Sequence, residues 1–127
     1  MNLLDSNDFK EIIEISKNNS NVIALILFGS YSKGKAKKNS DLDIAIIRKK
    51  GSQPHNFLEI NYRDNNFDIV FFDLVSDNIK FSILSQGKIL VINDKGAFLK
   101  MRRNFLHIYR DNYPFFERNM KRMLANV

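Results

Sequence analysis

The 127-residue chain has no cysteine, so disulfides and thiolate-held metals are excluded, and a bound ion must be held by oxygen or by the two histidines, His55 and His107. That inventory suits a hard cation such as Mg²⁺. A long hydrophobic run is missing as well. The longest, Val22 to Phe28, falls far short of the roughly 20 residues of a membrane-spanning helix. The opening residues MNLLDSNDFK lack a basic segment followed by an apolar stretch, so the chain reads as soluble and cytoplasmic, with no membrane role. Internal repeats and low-complexity tracts are absent. There is also no room for a second ordinary domain: 127 residues with 44% hydrophobic content support one core, and residues 1–127 are expected to form a single domain. Acidic charge is in the minority, 14 Asp and Glu against 20 Lys and Arg, for a net charge of +6. The basic residues gather at Lys33, Lys35, Lys37, Lys38, Arg48 to Lys50 and in the last third of the chain. An anionic ligand fits this balance, and so does a merely solvated surface, so charge alone does not decide function.

What is present is an alternation of helical and extended patterns. Residues 6–18 place Phe9, Ile12, Ile13 and Ile15 at roughly helical spacing, with Ser6 or Asn7 as the cap. The run NVIALILFGS is continuous, apolar and rich in β-branched residues up to Gly29, as a strand buried on both faces would be. A Lys-rich segment, Tyr31 to Asn39, leads to a second strand, DLDIAII, and then to polar punctuation around Gly51 and Pro54. Leu58, Ile60 and Tyr62, then Phe67, Ile69 and Phe71, alternate on either side of Arg63-Asp64-Asn65-Asn66, which predicts a hairpin. A helix is expected from Ser76 to Ser85 with its stop at Gly87, then a short strand, KILVI. Phe98, Met101, Phe105 and Ile108 step by threes and fours in a long helix from about Gly96, broken near Pro114, with a last helical segment to about Leu124. The fold class is α/β or α+β, a small mixed sheet flanked by helices.

The stretch LILFGSYSKGKAKKNSDLDIAII brings three features into one order: Gly-Ser at a strand end, a basic segment, and Asp-x-Asp opening the next strand. On a strand, Asp41 and Asp43 project from the same face, about 7 Å apart along the chain. Asp68 begins a later strand run, and an adjacent strand lies only about 4.8 Å away, so a third carboxylate can join them. Three carboxylates suit two cations about 3.5 to 4 Å apart, a clamp for in-line displacement at phosphorus. Gly29 lets the backbone approach a phosphate, and Ser30 is expected to cap the following helical turn and present its hydroxyl there. Lys33 supplies positive charge for a leaving pyrophosphate. Taken singly, a Gly-Ser turn or an Asp-x-Asp is ordinary loop chemistry. The conjunction is specific, with ten residues between Ser30 and Asp41 and an apolar strand on either side.

At these residues the chain resembles the minimal nucleotidyltransferases of the DNA polymerase beta-like superfamily, whose signature is Gly-Ser, ten or more residues, then Asp-x-Asp. Gly29, Ser30, Lys33, Gly34, Ala36, Ser40, Asp41, Asp43 and Asp68 carry the likeness. It is strong over residues 22–47 and loose elsewhere. Lys33 stands where the family commonly has Arg, which keeps the charge but loses a bidentate grip. The resemblance implies a nucleotidyltransferase fold with its catalytic core at about 20–75 and a helical segment at about 96–125. It also implies catalytic, metal-binding roles for Asp41, Asp43 and Asp68, with two Mg²⁺ ions and ATP as substrate. Gly29, Ser30, Lys33 and Ser40 would bind the nucleotide. The tail, from ILSQGKILVIND to YRDNYPFFERNMKRML, is similar to that of the antitoxin of HEPN/MNT toxin–antitoxin modules. That branch implies transfer of AMP to a tyrosine of a partner HEPN ribonuclease toxin, with no direct nucleic-acid substrate. Two alternatives stand beside it: modification of a small molecule of the aminoglycoside type, and neutralisation of a toxin by binding alone.

Other signals carry less. Arg102, His107 and Tyr109 match the ribonuclease motif of the HEPN partner itself, but that fold is all-helical and this chain has convincing strands, so the match reads as coincidence. His55 follows Pro54 in a loop and reads as solvent-exposed. Asp73, five residues past Asp68, falls on the other side of the strand by alternation and reads as a strand-end or cap residue.

Overall fold

A computed structural model of the chain describes residues 3–36, 41–61 and 66–111. After a 3-10 turn at Leu3–Asp5 comes α1 (Asn7–Lys17), whose N-cap is Ser6, its side chain accepting from the Phe9 amide. β1 (Val22–Phe28) runs into a single helical turn, α2 (Gly29–Ser32), and β2 (Leu42–Arg48) follows. A 3-10 turn at Pro54–Phe57 and the short helix α3 (Leu58–Asn61) precede β3 (Phe67–Phe71). A further turn at Phe72–Leu74, α4 (Asp77–Gln86), β4 (Lys88–Ile92) and α5 (Lys95–Asp111) complete the described chain. The last helical segment expected after Pro114 lies outside the described residues.

The strands form one mixed sheet in the order β3-β2-β1-β4. β1 is antiparallel to both β2 and β4, while β2 and β3 are parallel. This is the expected α/β class, and the central strands explain why. Alternate residues of β1 and β2 are buried on opposite faces, which is what a continuous apolar run achieves in the middle of a sheet. Leu25, Leu27, Ile44 and Ile46 pack with Phe9 and Ile12 of α1 and with Phe57 and Ile60. Ala24, Ile26, Ala45 and Ile47 pack on the other face with Ile83 and Leu84 of α4 and Phe98 of α5. The small alanines there let the α4 and α5 layer approach the sheet closely. Asn93, just past β4, ties three segments together: its side-chain amide donates to the carbonyls of Ser16 (2.9 Å), Val22 (3.0 Å) and Asn19 (3.3 Å).

The predicted hairpin is not formed. Leu58 and Ile60 lie in α3, and β3 pairs in parallel with β2, which a tight hairpin cannot deliver. The misleading pattern was the alternation of Leu58, Ile60 and Tyr62; the spacing that folds is Phe57 to Ile60, three apart, both fully buried on one helical face. Tyr62 and most of the supposed turn lie outside the described residues. Among the described residues no helix is long and apolar enough to cross a membrane.

Candidate active site

β1 and β2 are antiparallel, so the end of one meets the start of the other: Phe28 stands opposite Asp43. β3, parallel to β2, sets Asp68 beside Asp43. The parallel crossover therefore brings Asp68 beside Asp43, the adjacency expected of neighbouring strands. By strand alternation Asp43 shares a face with Ala45, and Asp68 with Val70, the face that α4 and α5 cover further along. The carboxylates sit at the end of that face nearest Gly29. Asp41 is exposed just before β2, within electrostatic reach of Asp43.

The electrostatics follow from this crowding. Asp43 is half-buried, and desolvation first, then the charge of Asp68, a hydrogen bond with Asp68 and the charge of Asp41 push its carboxyl from 3.8 up to about 6. Burial and the neighbouring carboxylates thus favour the protonated form of Asp43. Every influence on Asp43 points the same way, so no cationic side chain among the described residues offsets the cluster. The pair is a hard-oxygen donor set short of positive charge, which a divalent cation fits. Among the described residues no three such side chains stand together at ligand distance, so the built part of a site is the Asp43–Asp68 pair, with Asp41 beside it.

Gly29 is the residue that lets this site exist. Its φ of 72° turns β1 into α2, in the left-handed region that favours glycine. A Cβ at this position would run into Oδ2 of Asp43 and lie 3.1 Å from its Cγ. The glycine thus makes room for the Asp43 carboxylate. The cap of α2 is Phe28, with no side-chain cap bond, so Ser30 does not cap the turn as expected; it lies within the first turn, partly exposed. Its backbone carbonyl accepts from the Lys35 amide at 2.9 Å. Lys33 closes α2 with its side chain exposed. Ser40 lies outside the described residues. Ser32, which sequence reasoning passed over, donates its hydroxyl to the Gly29 carbonyl at 2.9 Å and so braces the turn. The available signal was a hydroxyl three residues after a glycine that ends a strand.

The residues set aside find other work. Asp73 lies in the turn after β3 and takes a bidentate grip from Arg48, Nε to Oδ1 at 2.9 Å and Nη2 to Oδ2 at 2.8 Å. The Arg48 guanidinium also lies 4.1 Å from the Phe71 ring centre. On α5, His107 lies 2.8 Å from Arg110 and 3.5 Å from Asp111, and Tyr109 stacks on Phe81 at 4.3 Å. Arg102 is exposed. His55 is exposed and lines an open groove of about 690 Å³ with Asn19, Asn56 and Glu59. A neighbouring groove of about 500 Å³ is lined by Lys49, Asn93 and Asp94. Both open at the start of β1, the opposite end of the sheet from the carboxylates. Their amides are engaged in holding loops together, Asn19 on the Asn56 carbonyl at 2.9 Å and Asn93 on three others, so they serve the fold.

A glycine turn at the end of β1, facing a carboxylate on the adjacent strand β2 with a second carboxylate beside it on β3, can take a phosphate and its cation. Comparison with known proteins makes the class specific. Residues 10–96 match the family described as polymerase beta, nucleotidyltransferase, and the chain belongs to it and is a nucleotidyltransferase. A Methanocaldococcus jannaschii protein named as a protein adenylyltransferase is 31% identical over 93 residues, 72% of this chain and 73% of that protein. Among solved structures, a chain of a toxin–antitoxin complex with AMP-PNP superposes with a TM-score of 0.60 at 24% identity, covering 91% of this chain and 99% of that one. A chain from the complex of tri-AMPylated Shewanella oneidensis HEPN toxin with MNT antitoxin gives 0.55 at 21% identity, covering 89% and 96%. At these identities the structures establish a shared fold.

Proposed function

We propose that this chain transfers AMP from ATP to a hydroxyl of a partner protein, a tyrosine of a HEPN ribonuclease toxin, and thereby acts as the toxin's antitoxin in the cytoplasm. The observation that carries the reading is the Asp43–Asp68 pair, charge-crowded and set against the Gly29 turn. The names of the M. jannaschii relative and of the Shewanella complex support protein as acceptor and AMP as the group moved.

Asp41, Asp43 and Asp68 would hold Mg²⁺, two ions in the full site, which would neutralise phosphate charge and orient the reacting oxygens. The glycine backbone, Ser30 and Ser40 would seat the triphosphate, and Lys33 would balance charge on the departing pyrophosphate. The acceptor oxygen attacks the α-phosphorus, the bond from that phosphorus to the bridging oxygen of the β-phosphate breaks, and pyrophosphate leaves with the bond's electron pair. The acceptor's proton passes to Asp68, the more exposed of the paired carboxylates. Asp41 and Asp68 are exposed at this end of the sheet, so a large acceptor would seat against them and exclude water.

Co-expression with the HEPN partner followed by intact-mass spectrometry tests this. One or more AMP units on the partner, absent with Asp43→Asn, is the expected result. Equal neutralisation of the toxin by the variant with no adduct would replace it with the binding-only reading, and labelling of an aminoglycoside instead would replace it with small-molecule modification.

A further inference from the structure

The longest described helix presents a face that the catalytic reading does not use. α5 buries Phe98 and turns Met101 and Phe105 toward the sheet. About a third of a turn away, at 100° per residue, lie Lys95, Leu99, Arg103, Leu106 and Arg110, a stripe roughly 22 Å long that alternates cation and apolar side chain. Leu99 is 46% exposed although large and apolar. Lys100 and His107 flank the stripe, and Asp111 is the one carboxylate on the helix. Among the described residues Lys95, Lys100 and Arg103 make no ion pair.

Two features of this stripe define what would cover it. Leu99 and Leu106 are seven residues apart, as are Arg103 and Arg110, which is the spacing of one helix seam packed along another. The cations fall within the seam and beside it, so the opposing helix must place carboxylates there to avoid burying unpaired charge. A phosphate backbone would satisfy the arginines but leave the leucines without partners.

We infer that this face of α5 is the docking surface for an acidic, amphipathic helix of the partner protein, with leucines packing at heptad spacing and carboxylates pairing with Arg103 and Arg110. The inference rests on the reading that the chain acts on a protein partner. α5 packs against the sheet at the half remote from the carboxylates, where Phe105 meets Phe72 beyond β3, so docking there leaves the catalytic end free.

The test uses the full-length chain and the HEPN protein co-purified with it. Arg103→Glu/Arg110→Glu should weaken that complex by about tenfold or more, and most of the salt dependence seen with wild type should go with it. Binding of Mg²⁺-ATP and the thermal melt should stay as in wild type, and Arg103→Lys/Arg110→Lys should retain most of the affinity. Unchanged affinity in the Glu variant overturns the inference, as does loss of binding to a fluorescein-labelled RNA oligonucleotide with the protein complex intact. The two readings separate cleanly. A wild-type complex that forms but carries no AMP defeats the transfer reaction and leaves the docking face standing, whereas AMP transfer with the same KM for the partner in wild type and Glu variant defeats the docking face alone.

Discussion

Asp43→Asn is expected to make the protein more stable while ending its activity. The asparagine keeps the size of the side chain and can donate an amide hydrogen to Asp68, so the volume stays while the charge goes. A rise of the Asp43 carboxyl from 3.8 to about 6 corresponds to at most about 3 kcal/mol of unfavourable interaction in the ionised form. Half-exposure lets water screen part of that, leaving about 1–2 kcal/mol. The sign follows from proton uptake: the folded state holds this proton more tightly than the unfolded chain. The group's contribution is therefore intact below pH 3.8 and is lost as pH rises through about 6. The stability gained by the variant should be full at pH 7.5 and shrink toward zero near pH 4. In thermal melts it should appear at pH 7.5 as roughly 4–8 °C. Mg²⁺ should raise the melting temperature of wild type and have little effect on the variant. Equal melting temperatures at pH 7.5, or a gain that persists at pH 4, would refute the assignment of this strain to carboxylate crowding.

Four further outcomes are expected. Gly29→Ala should lower stability by about 1–3 kcal/mol through its positive φ and the collision with Asp43, and should abolish AMP transfer, read by melting and by labelled-ATP transfer. Asp68→Asn should cut the transfer rate by about 10²–10⁴-fold with the fold intact, as loss of a proton acceptor would. Asn93→Ala should cost about 1 kcal/mol in urea unfolding, because it removes the amide that links the carbonyls of Ser16, Asn19 and Val22, of which Ser16 and Asn19 keep backbone donors. Ser16→Ala should be neutral or stabilising by up to about 2 kcal/mol, since the Ser16 hydroxyl is fully buried without a partner.

Why some of this was legible in the sequence and some was not comes down to the range of the interactions. β1 and β2 could be read because a run buried on both faces is apolar throughout, whatever its neighbours are. The cap Ser6 is local chemistry, accepting from an amide three residues on, as is the start of α4 at Ser76, whose hydroxyl does the same. The α3 segment failed because four residues of helix hold too few side chains to separate a period of two from one of 3.6, and the choice was made by Phe57 and Ile60 reaching a core built mostly elsewhere. The direction of β3 is likewise non-local. Nothing in FDIVF records whether its neighbour runs parallel or antiparallel, yet either pairing can place its second residue beside Asp43.

That tolerance bears on the site itself. The placement of Asp68 depends on alternation and on adjacency to β2, both of which survive an error in strand direction; the placement of Ser30 depends on the detailed geometry of one turn, and there sequence reasoning assigned a cap that Phe28 occupies. The role of Gly29 as room for the Asp43 carboxylate belongs to neither category. It arises from the register that sets Phe28 opposite Asp43, so the glycine must follow directly after the residue that faces the carboxylate. A glycine that stands against a charged side chain links stability and activity in one position. Relieving the crowding by removing the carboxylate should strengthen the fold and silence the enzyme, while adding a methyl group at Gly29 should weaken both.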